Sequence, residues 1–176
     1  IIIRKDNKII QTTLGTNRNV TDINNNNPFH IAVYENAPIS VFEFLLSHGY
    51  NLNWKNNAGK TPIQLAISNG MNEAVQFMLK NGADVYSLDA TGQNAVTTSI
   101  KDNPSVLIDI LSANKNTVDA NGNSILHFAA QCADANTITV LIQYGANKYA
   151  QNKRGETPFD VARNCSRAND VLQALK

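Results

Sequence analysis

The side chains most capable of chemistry in this sequence are three histidines and two cysteines. The histidines are His30, His48 and His127, and the cysteines are Cys132 and Cys165. A Cys beside a His can act as a nucleophile with its base, and clusters of the two residue types bind zinc. The two cysteines are not expected to form a metal or catalytic pair, and no zinc spacing, Gly-rich phosphate loop or paired-carboxylate motif is present. We therefore expect no catalytic residue, no metal site and no cofactor.

The elements that would carry these residues are short helices that begin in a repeated way. "GKTPIQLAISNG" starts at Gly59 and "GETPFDVARN" starts at Gly155. In each, the Gly allows a tight turn, the Thr can cap the helix, and the Pro occupies the first turn, where its missing N–H costs nothing. Each predicted helix has only about two turns. Because so short a helix is unstable alone in water, it must pack on neighbouring units.

The same unit recurs five times along the chain. Its cap position is found at Asn27, Thr61, Asn94, Ser124 and Thr157, at intervals of 34, 33, 30 and 33 residues. An apolar pair follows each cap, at Leu45-Leu46, Met78-Leu79, Ile110-Leu111, Leu141-Ile142 and Ala174-Leu175. In three units, "SHGYN", "KNGAD" and "QYGAN", a Gly comes next. Each unit is therefore predicted to be a short helix, a turn, a second helix closed by Gly and a polar loop.

These residues resemble the ankyrin repeat, whose period of about 33 residues carries T-P-L-H-x-A and a later L-L-x-x-G-A. The resemblance covers residues 22–176, with repeats at about 22–55, 56–88, 89–118, 119–151 and 152–176. It implies an all-α solenoid of stacked helix-turn-helix units joined by hairpin loops. It also implies that His30 and His127 are structural and bond to the backbone of a neighbouring loop.

Two repeats depart from the pattern. Repeat 1 has Asn25 in place of the turn Gly, which Asn can accommodate. Repeat 3 lacks the Pro, has hydroxyl residues at 97–99 in its first helix, and has Asn114 in place of the closing Gly. We expect a shortened inter-helix turn at 102–104 and a shortened hairpin before Gly122. Repeat 3 should open first, and restoring the pattern with Asn94→Thr and Ala95→Pro should add about 1 kcal/mol of stability.

Residues 1–21 are predicted to be a degenerate partial repeat or an N-terminal flank. Residues 6–14 could be the second helix of an earlier repeat, or "IIIRKDNKII" could be a strand or an apolar tail. The sequence begins without Met and ends at Leu175-Lys176, where repeat 5 should continue. We therefore expect a fragment of a longer protein.

Composition favours an intracellular domain, cytoplasmic or nuclear. Apolar residues make up 43% of the chain, but no continuous apolar run has the ~18 residues of a membrane span, and no signal peptide is evident. Cys132 and Cys165 occupy the same position in adjacent repeats and are expected to be free thiols, as in a reducing compartment. The net charge is only +1, and no basic run with interleaved aromatics suggests a nucleic-acid partner.

By its resemblance, the chain is expected to be a non-catalytic, monomeric scaffold that binds another protein through a concave face. One alternative is a regulatory or substrate-recruiting module of a larger enzyme or effector, and another is a module of a transcription regulator. Trp54 is either part of the loop core or an interface anchor. The family's variable positions give the predicted partner-binding residues: Tyr34, Glu35, Lys55, Asn57, Lys60, Ser68, Asn69, Leu88, Thr91, Gln93, Lys101, Asp102, Asn121, Asn123, Gln131, Gln151, Lys153, Arg154 and Glu156.

Overall fold

The computed structural model describes residues 18–114 and 117–176 of the chain, which divides into two compact units, Ile1–Ala95 and Val96–Lys176. The first unit contains α1 (Pro28–Tyr34), α2 (Ile39–Ser47), α3 (Pro62–Ser68) and α4 (Asn72–Lys80). Helix α5 (Ala95–Asp102) begins at the boundary. The second unit continues with a 3-10 helix (Pro104–Val106), α6 (Leu107–Asn114), α7 (Ile125–Cys132), α8 (Ala135–Gln143), α9 (Pro158–Asn164) and α10 (Asn169–Ala174). The described residues form no strand, and the expected all-α fold is confirmed.

Helices α1, α3, α7 and α9 begin after the predicted cap residues. At Thr157, the hydroxyl accepts the Asp160 N–H (3.3 Å) while the Asp160 carboxylate accepts the Thr157 N–H (3.0 Å). At Thr61, the Gln64 side-chain oxygen accepts both the Thr61 N–H (2.9 Å) and its hydroxyl (3.1 Å). Asn27 caps α1 through its side-chain oxygen, which accepts the His30 N–H. These reciprocal bonds satisfy helix N–H groups that have no partner within the helix.

The hairpin loops are closed by an Asx turn that repeats with the same period as the caps. The side-chain oxygen of Asp89 accepts the N–H groups of Thr91 (2.8 Å) and Gln93 (3.0 Å). The equivalent acceptors in the other hairpins are Asp22, Asn56, Asp119 and Asn152. Asp and Asn are suited to this role because their short side chains reach the backbone two residues on. The three hairpin carboxylates are thus turn formers.

Neighbouring hairpins lie close together within each unit. The N–H groups of Asn57 and Ala90 donate to the carbonyls of Asn24 (2.9 Å) and Ala58 (3.0 Å). Gly59 has a φ of +71°, and a Cβ there would lie 2.8 Å from the Ala90 backbone nitrogen. Both the turn and the close approach therefore require glycine at this position. Asn25, which stands at the equivalent position of repeat 1, has a φ of +59° as the sequence indicated.

The core of the first unit lies between paired helices. Helix α1 packs on α2 and α3, and α4 packs on α2 and α3. Phe42 is fully buried, and its ring centroid lies 6.2 Å from those of Phe29 and Phe77. The apolar faces of the short helices are thus covered by neighbouring repeats, which explains how elements of two turns remain folded.

The second unit repeats this arrangement. Helix α7 packs on α8 and α9, and α10 packs on α8 and α9. Leu126, Ile138 and Leu141 are at most 1% exposed and form its core. The Gly122 backbone also lies close to the next hairpin, since a Cβ there would be 3.0 Å from the Lys153 nitrogen.

Repeat 3 has the two shortened connections that its sequence predicts. Only residue 103 separates α5 from the 3-10 helix, whereas three residues, 69–71, separate α3 from α4. Four residues separate α6 from the hairpin acceptor Asp119, whereas eight separate α4 from Asp89. Within α5 the Ser99 hydroxyl donates to the Val96 carbonyl (2.7 Å), the competing bond that hydroxyl side chains make in helices. The predictions for residues 6–14 lie outside the described residues.

Candidate protein-binding surface

A cleft of about 430 Å³ opens between the first two hairpins of the first unit and the end of α1. Tyr34, the last residue of α1, is 53% exposed, so its ring is available at the surface. The cleft brings together two residues that the sequence selected for binding, Tyr34 and Asn57. Other residues that line the cleft are absent from the family's variable positions. The main lining residues are Tyr34, Asp22, Asn24, Asn26, Asn56 and Asn57.

The missed residues could have been found from the hairpin period. Asp22 and Asn56 are the Asx-turn acceptors of repeats 1 and 2, and their places in sequence follow from the cap positions five residues later. Asn26 is buried and bridges the two hairpins, since its side-chain oxygen accepts the Asn56 amide (2.9 Å) while its own amide donates to Asp22 (3.0 Å). The same residues therefore hold the turns and form the wall of the cleft.

Asp22 supplies a fixed negative charge to this cleft. Desolvation by neighbouring groups raises the pKa of its carboxyl, but hydrogen bonds from the Asn26 side chain and from the Asn26 and Asn24 N–H groups outweigh this effect. The pKa of Asp22 is consequently below its usual value of 3.8. The carboxylate is ionised at neutral pH.

Several predicted binding residues use their side chains to hold the loops. The Lys55 amine donates to the Leu88 carbonyl (2.7 Å), and the Thr91 hydroxyl donates to Asp89 (2.7 Å). Asn123 donates to Asp119 (3.1 Å) and accepts from the Asn152 amide (3.0 Å). Arg154 forms an ion pair with Glu156 (3.0 Å). A substitution at these positions would alter the hairpins as well as any binding surface.

The remaining predicted residues are distributed over both units. In the first, Glu35 and Asn69 follow the ends of α1 and α3, and Leu88 is 51% exposed in the hairpin. In the second, Lys101 and Asp102 end α5. The other positions are exposed at Ser68, Asn121, Gln131, Gln151 and Lys153 and half-buried at Lys60 and Gln93.

The histidines at the third helical position link one repeat to the next. His30 Nε2 lies 2.9 Å from the Lys60 carbonyl, and His127 Nε2 lies 2.9 Å from the Glu156 carbonyl. Gln64 makes the equivalent bond, donating to the Gln93 carbonyl (2.9 Å). Both histidines are fully buried and act as predicted, and burial lowers the pKa of His30, which keeps that ring neutral at pH 7.

The two cysteines and His48 belong to no reactive cluster in the described part of the chain. Cys132 and Cys165 are free thiols, as expected, and desolvation raises the pKa of Cys132 against the opposing charge of Arg167. A raised pKa keeps this thiol protonated and weakly nucleophilic at neutral pH. His48 Nδ1 lies 2.8 Å from the Phe44 carbonyl at the end of α2. Within residues 18–114 and 117–176, no cluster of three His, Cys, Asp or Glu residues could hold a metal ion.

Trp54 belongs to the loop structure. Its indole Nε1 donates to the Asn25 carbonyl (3.1 Å), and the residue is half-buried. This bond joins the first hairpin to the loop that leaves α2, which supports the loop-core alternative. In the described part of the chain, no helix is long and apolar enough to cross a membrane.

A smaller groove of about 250 Å³ lies beside the inter-helix turns of the first unit. Asn36 and Pro38 line it from the turn before α2, and Met71 and Glu73 line it from the start of α4. None of these residues belongs to the predicted binding set. The groove therefore provides a comparison surface for experiments on the cleft.

Comparison with solved structures shows the same architecture. A chain of the complex between the predatory endopeptidase Bd0816 from Bdellovibrio bacteriovorus and the immunity protein Bd3460 matches with a TM-score of 0.63 and 28% identity. The ankyrin repeat protein EF0377 matches with a TM-score of 0.65 and 22% identity. Each match covers 96% of this chain and 88% of the other.

Curated relatives are similar over most of the chain. The chain is 28% identical to the mouse (Mus musculus) B-cell lymphoma 3 protein homolog in a match that covers 92% of this chain. It is 30% identical to the tyrosine-protein kinase HTK16 of Hydra vulgaris over 76% of this chain. It is 34% identical to human (Homo sapiens) neurogenic locus notch homolog protein 1 over 67% of this chain. These matches cover 37%, 18% and 5% of the respective relatives. The chain therefore corresponds to a minor part of each relative.

Two family models match the chain itself. The model "Ankyrin repeats (3 copies)" matches residues 1–89, and "Ankyrin repeat" matches residues 121–153. The first match alone covers half of the chain and includes the N-terminal segment. Ankyrin repeats are generally non-catalytic modules that bind other proteins. With caps, hairpins and inter-repeat bonds recurring at the family's period, the chain belongs to the ankyrin-repeat family.

Proposed function

We propose that this chain is a non-catalytic recognition module that binds a partner protein through its hairpin tips and the adjoining ends of its first helices. The cleft beside Tyr34 is the centre of the contact in the first unit. The proposal includes an intracellular setting, in which the two cysteines remain reduced.

The observation that carries the proposal is the exposed ring of Tyr34 above a cleft walled by two hairpins. Large aromatic side chains are the residues that most often dominate binding energy at interfaces. The hairpins that form the wall are held by the Asx turns and by the Asn26–Asn56 bridge, so the surface is pre-formed and loses little conformational entropy when a partner binds.

A second candidate is a recruiting or regulatory module within a larger enzyme. This alternative is favoured by the match to a tyrosine-protein kinase, of which the similar region is only 18%. In that case the partner of the cleft would be a substrate or a regulator of the attached activity.

Site-specific photo-crosslinking tests the proposed face. A photoreactive amino acid is introduced at Tyr34 or at Gln131, and the matched controls carry it at the exposed Glu43 of α2 or at Glu73 in the comparison groove. We expect a crosslink to one partner protein from the first pair and none from the controls. Crosslinks from the controls alone would place the partner on the second helices.

With that partner purified, the double substitution Tyr34→Ala with Lys101→Glu should weaken binding at least tenfold. Both side chains are exposed, so thermal stability should change by no more than about 0.5 kcal/mol. Titration calorimetry measures the affinity, and thermal unfolding measures the stability. An unchanged affinity would contradict the assignment of this face.

A further inference from the structure

We propose that the cleft between the first two hairpins recognises an arginine side chain in an extended segment of the partner. This inference rests on the proposed function and specifies the chemistry of the partner at that site. Its basis is the combination of a fixed carboxylate, an exposed aromatic ring and the exposed amide groups of Asn24 and Asn57 around one cleft.

The charge of the cleft comes from Asp22, which is the only charged residue that lines it in the described structure. Its carboxylate accepts three hydrogen bonds, two from the backbone and one from the Asn26 amide. A carboxylate has about four acceptor positions, so one remains for a donor from outside. The side chain is exposed, and a cationic group can approach it directly.

No cation in the described part of the first unit forms an ion pair with Asp22. The Lys55 amine donates a hydrogen bond to the Leu88 carbonyl. The positive charge of the half-buried Lys60 interacts with the Asp89 carboxylate. His30 is close enough to influence Asp22, but burial lowers the pKa of His30 and leaves it neutral at pH 7. Among the described residues of the first unit, the Asp22 carboxylate therefore has no ion-pair partner.

Tyr34 favours arginine over lysine as the bound cation. Its half-exposed ring lines the same cleft as Asp22. A guanidinium group is planar and weakly hydrated, so it can stack on an aromatic face while donating to a carboxylate. An ammonium group is more strongly hydrated and has no planar face to stack.

The amide side chains indicate an extended segment around the arginine. Asn57 is exposed at the second hairpin, and its amide makes only a long bond of 3.4 Å to the Ile23 carbonyl. Asn24 lines the cleft from the first hairpin. Each carboxamide offers a donor and an acceptor, which match the N–H and C=O of a peptide group whose own hydrogen bonds are unmade. An extended chain presents such groups, whereas a helix does not.

The test is a selection of phage-displayed random dodecapeptides on the 176-residue chain, followed by affinity measurements with the enriched peptides. We expect arginine to be enriched at one position, and Asp22→Asn to weaken the selected peptides about tenfold, as does replacement of that arginine by citrulline. The substitution keeps the fold, because Asn56 and Asn152 make the same turn in repeats 2 and 5.

Asp84→Asn is the matched control. Asp84 is exposed in the same unit and closes a turn with the Tyr86 N–H (2.9 Å), but it does not line the cleft. Its substitution should leave peptide affinity unchanged, which separates loss of the specific contact from loss of general negative charge.

The outcomes distinguish this inference from the proposed function. Peptides that lose affinity with Tyr34→Ala but contain no basic residue would overturn the arginine proposal and leave the binding face intact. Peptides that need arginine but are indifferent to Asp22→Asn would also overturn it. A selection that yields only peptides indifferent to Tyr34→Ala, or no peptide at all, would count against the cleft itself and hence against both proposals.

Discussion

Repeats 2 and 3 follow each other in the chain but differ in how their helices begin and connect. In repeat 2, α3 starts with the Thr61-Pro62 pair, and Gly70 provides the turn to α4 with a φ of +68°. In repeat 3, α5 starts at Ala95 without a proline, and a 3-10 helix replaces the open turn. Both repeats nevertheless have a first and a second α-helix in the same order. The repeat therefore still forms when the Pro at the helix start and the Gly of the inter-helix turn are replaced by other residues.

The comparison shows that a signal missing from the sequence can be replaced by a tertiary contact. The Ala95 N–H donates to the Val85 carbonyl (3.1 Å), a bond that Pro62 cannot make at the start of α3. The absence of proline in repeat 3 is thus accompanied by a hydrogen bond to the preceding loop. By the repeat pattern alone, position 95 lacks the expected proline. In the structure, the N–H group that proline would remove has a hydrogen-bond partner.

The largest expected effect is a difference in stability between substitutions at two hairpin glycines, Gly59 and Gly92. Gly59→Ala should lower the free energy of unfolding by about 2–4 kcal/mol, because it combines a positive φ with a Cβ 2.8 Å from the Ala90 nitrogen. Gly92→Ala is the control; its φ of +78° is similar, but nothing lies within 4 Å of the Cβ, and it should cost only about 1 kcal/mol. Chemical denaturation measures both. Equal losses would show that the close approach of the hairpins has no energetic weight.

The next effect concerns local opening. Amides of residues 90–118 should exchange hydrogen about tenfold faster than those of repeats 2 and 4, because repeat 3 has shorter connections and a first helix weakened by hydroxyl residues. Native-state hydrogen exchange with mass spectrometry gives the rates for each repeat. Uniform protection along the chain would refute the idea that repeat 3 is the weakest unit.

A smaller effect tests the substitution that the pattern recommends. The sequence predicts that Ala95→Pro, with Asn94→Thr, stabilises repeat 3. The structure reverses this expectation, because proline removes the N–H that donates to Val85, and we expect Ala95→Pro alone to lower stability by about 1 kcal/mol. Thermal unfolding of the single variant, with Ala95→Ser as a control that keeps the N–H, decides the sign. A gain in stability would restore the sequence-based prediction.

The smallest effect compares the histidine and glutamine links. Burial lowers the pKa of His30, so the unfolded chain takes up the proton first and stability falls as the pH drops below the ordinary value of 6.5. The contribution is complete above that pH. His30→Gln should remove this part of the pH dependence without loss of the link, since Gln64 makes the same bond in repeat 2. Chemical denaturation at pH 7.5 and pH 5.5 gives the change in the free energy of unfolding between the two pH values. An identical change in the unmodified chain and in His30→Gln would contradict the attribution of this pH dependence to His30.

The candidate surface could be predicted only in part. Tyr34 and Asn57 were selected because their positions vary within the family, and the structure brings them into one cleft. Asp22 and Asn56 lie outside the family's variable positions, yet they line the same cleft. Thr91 and Asn123 were selected, yet their side chains bond within the hairpins. The family's variable positions thus indicate which residues are exposed. They do not indicate whether a side chain is already hydrogen-bonded within its own hairpin.

The sequence by itself determined the family, the repeat period and the cap residues Asn27, Thr61, Ser124 and Thr157 of four first helices. These features depend on interactions within about five residues, such as the Thr157 cap and the positive φ of Gly59, and local residue types are sufficient to specify them. Only the tertiary structure decided which backbone groups of neighbouring loops meet. The bond from Ala95 to Val85, the crowding at Gly59 and the cleft beside Tyr34 all depend on distances across the stack, which the order of residue types does not record.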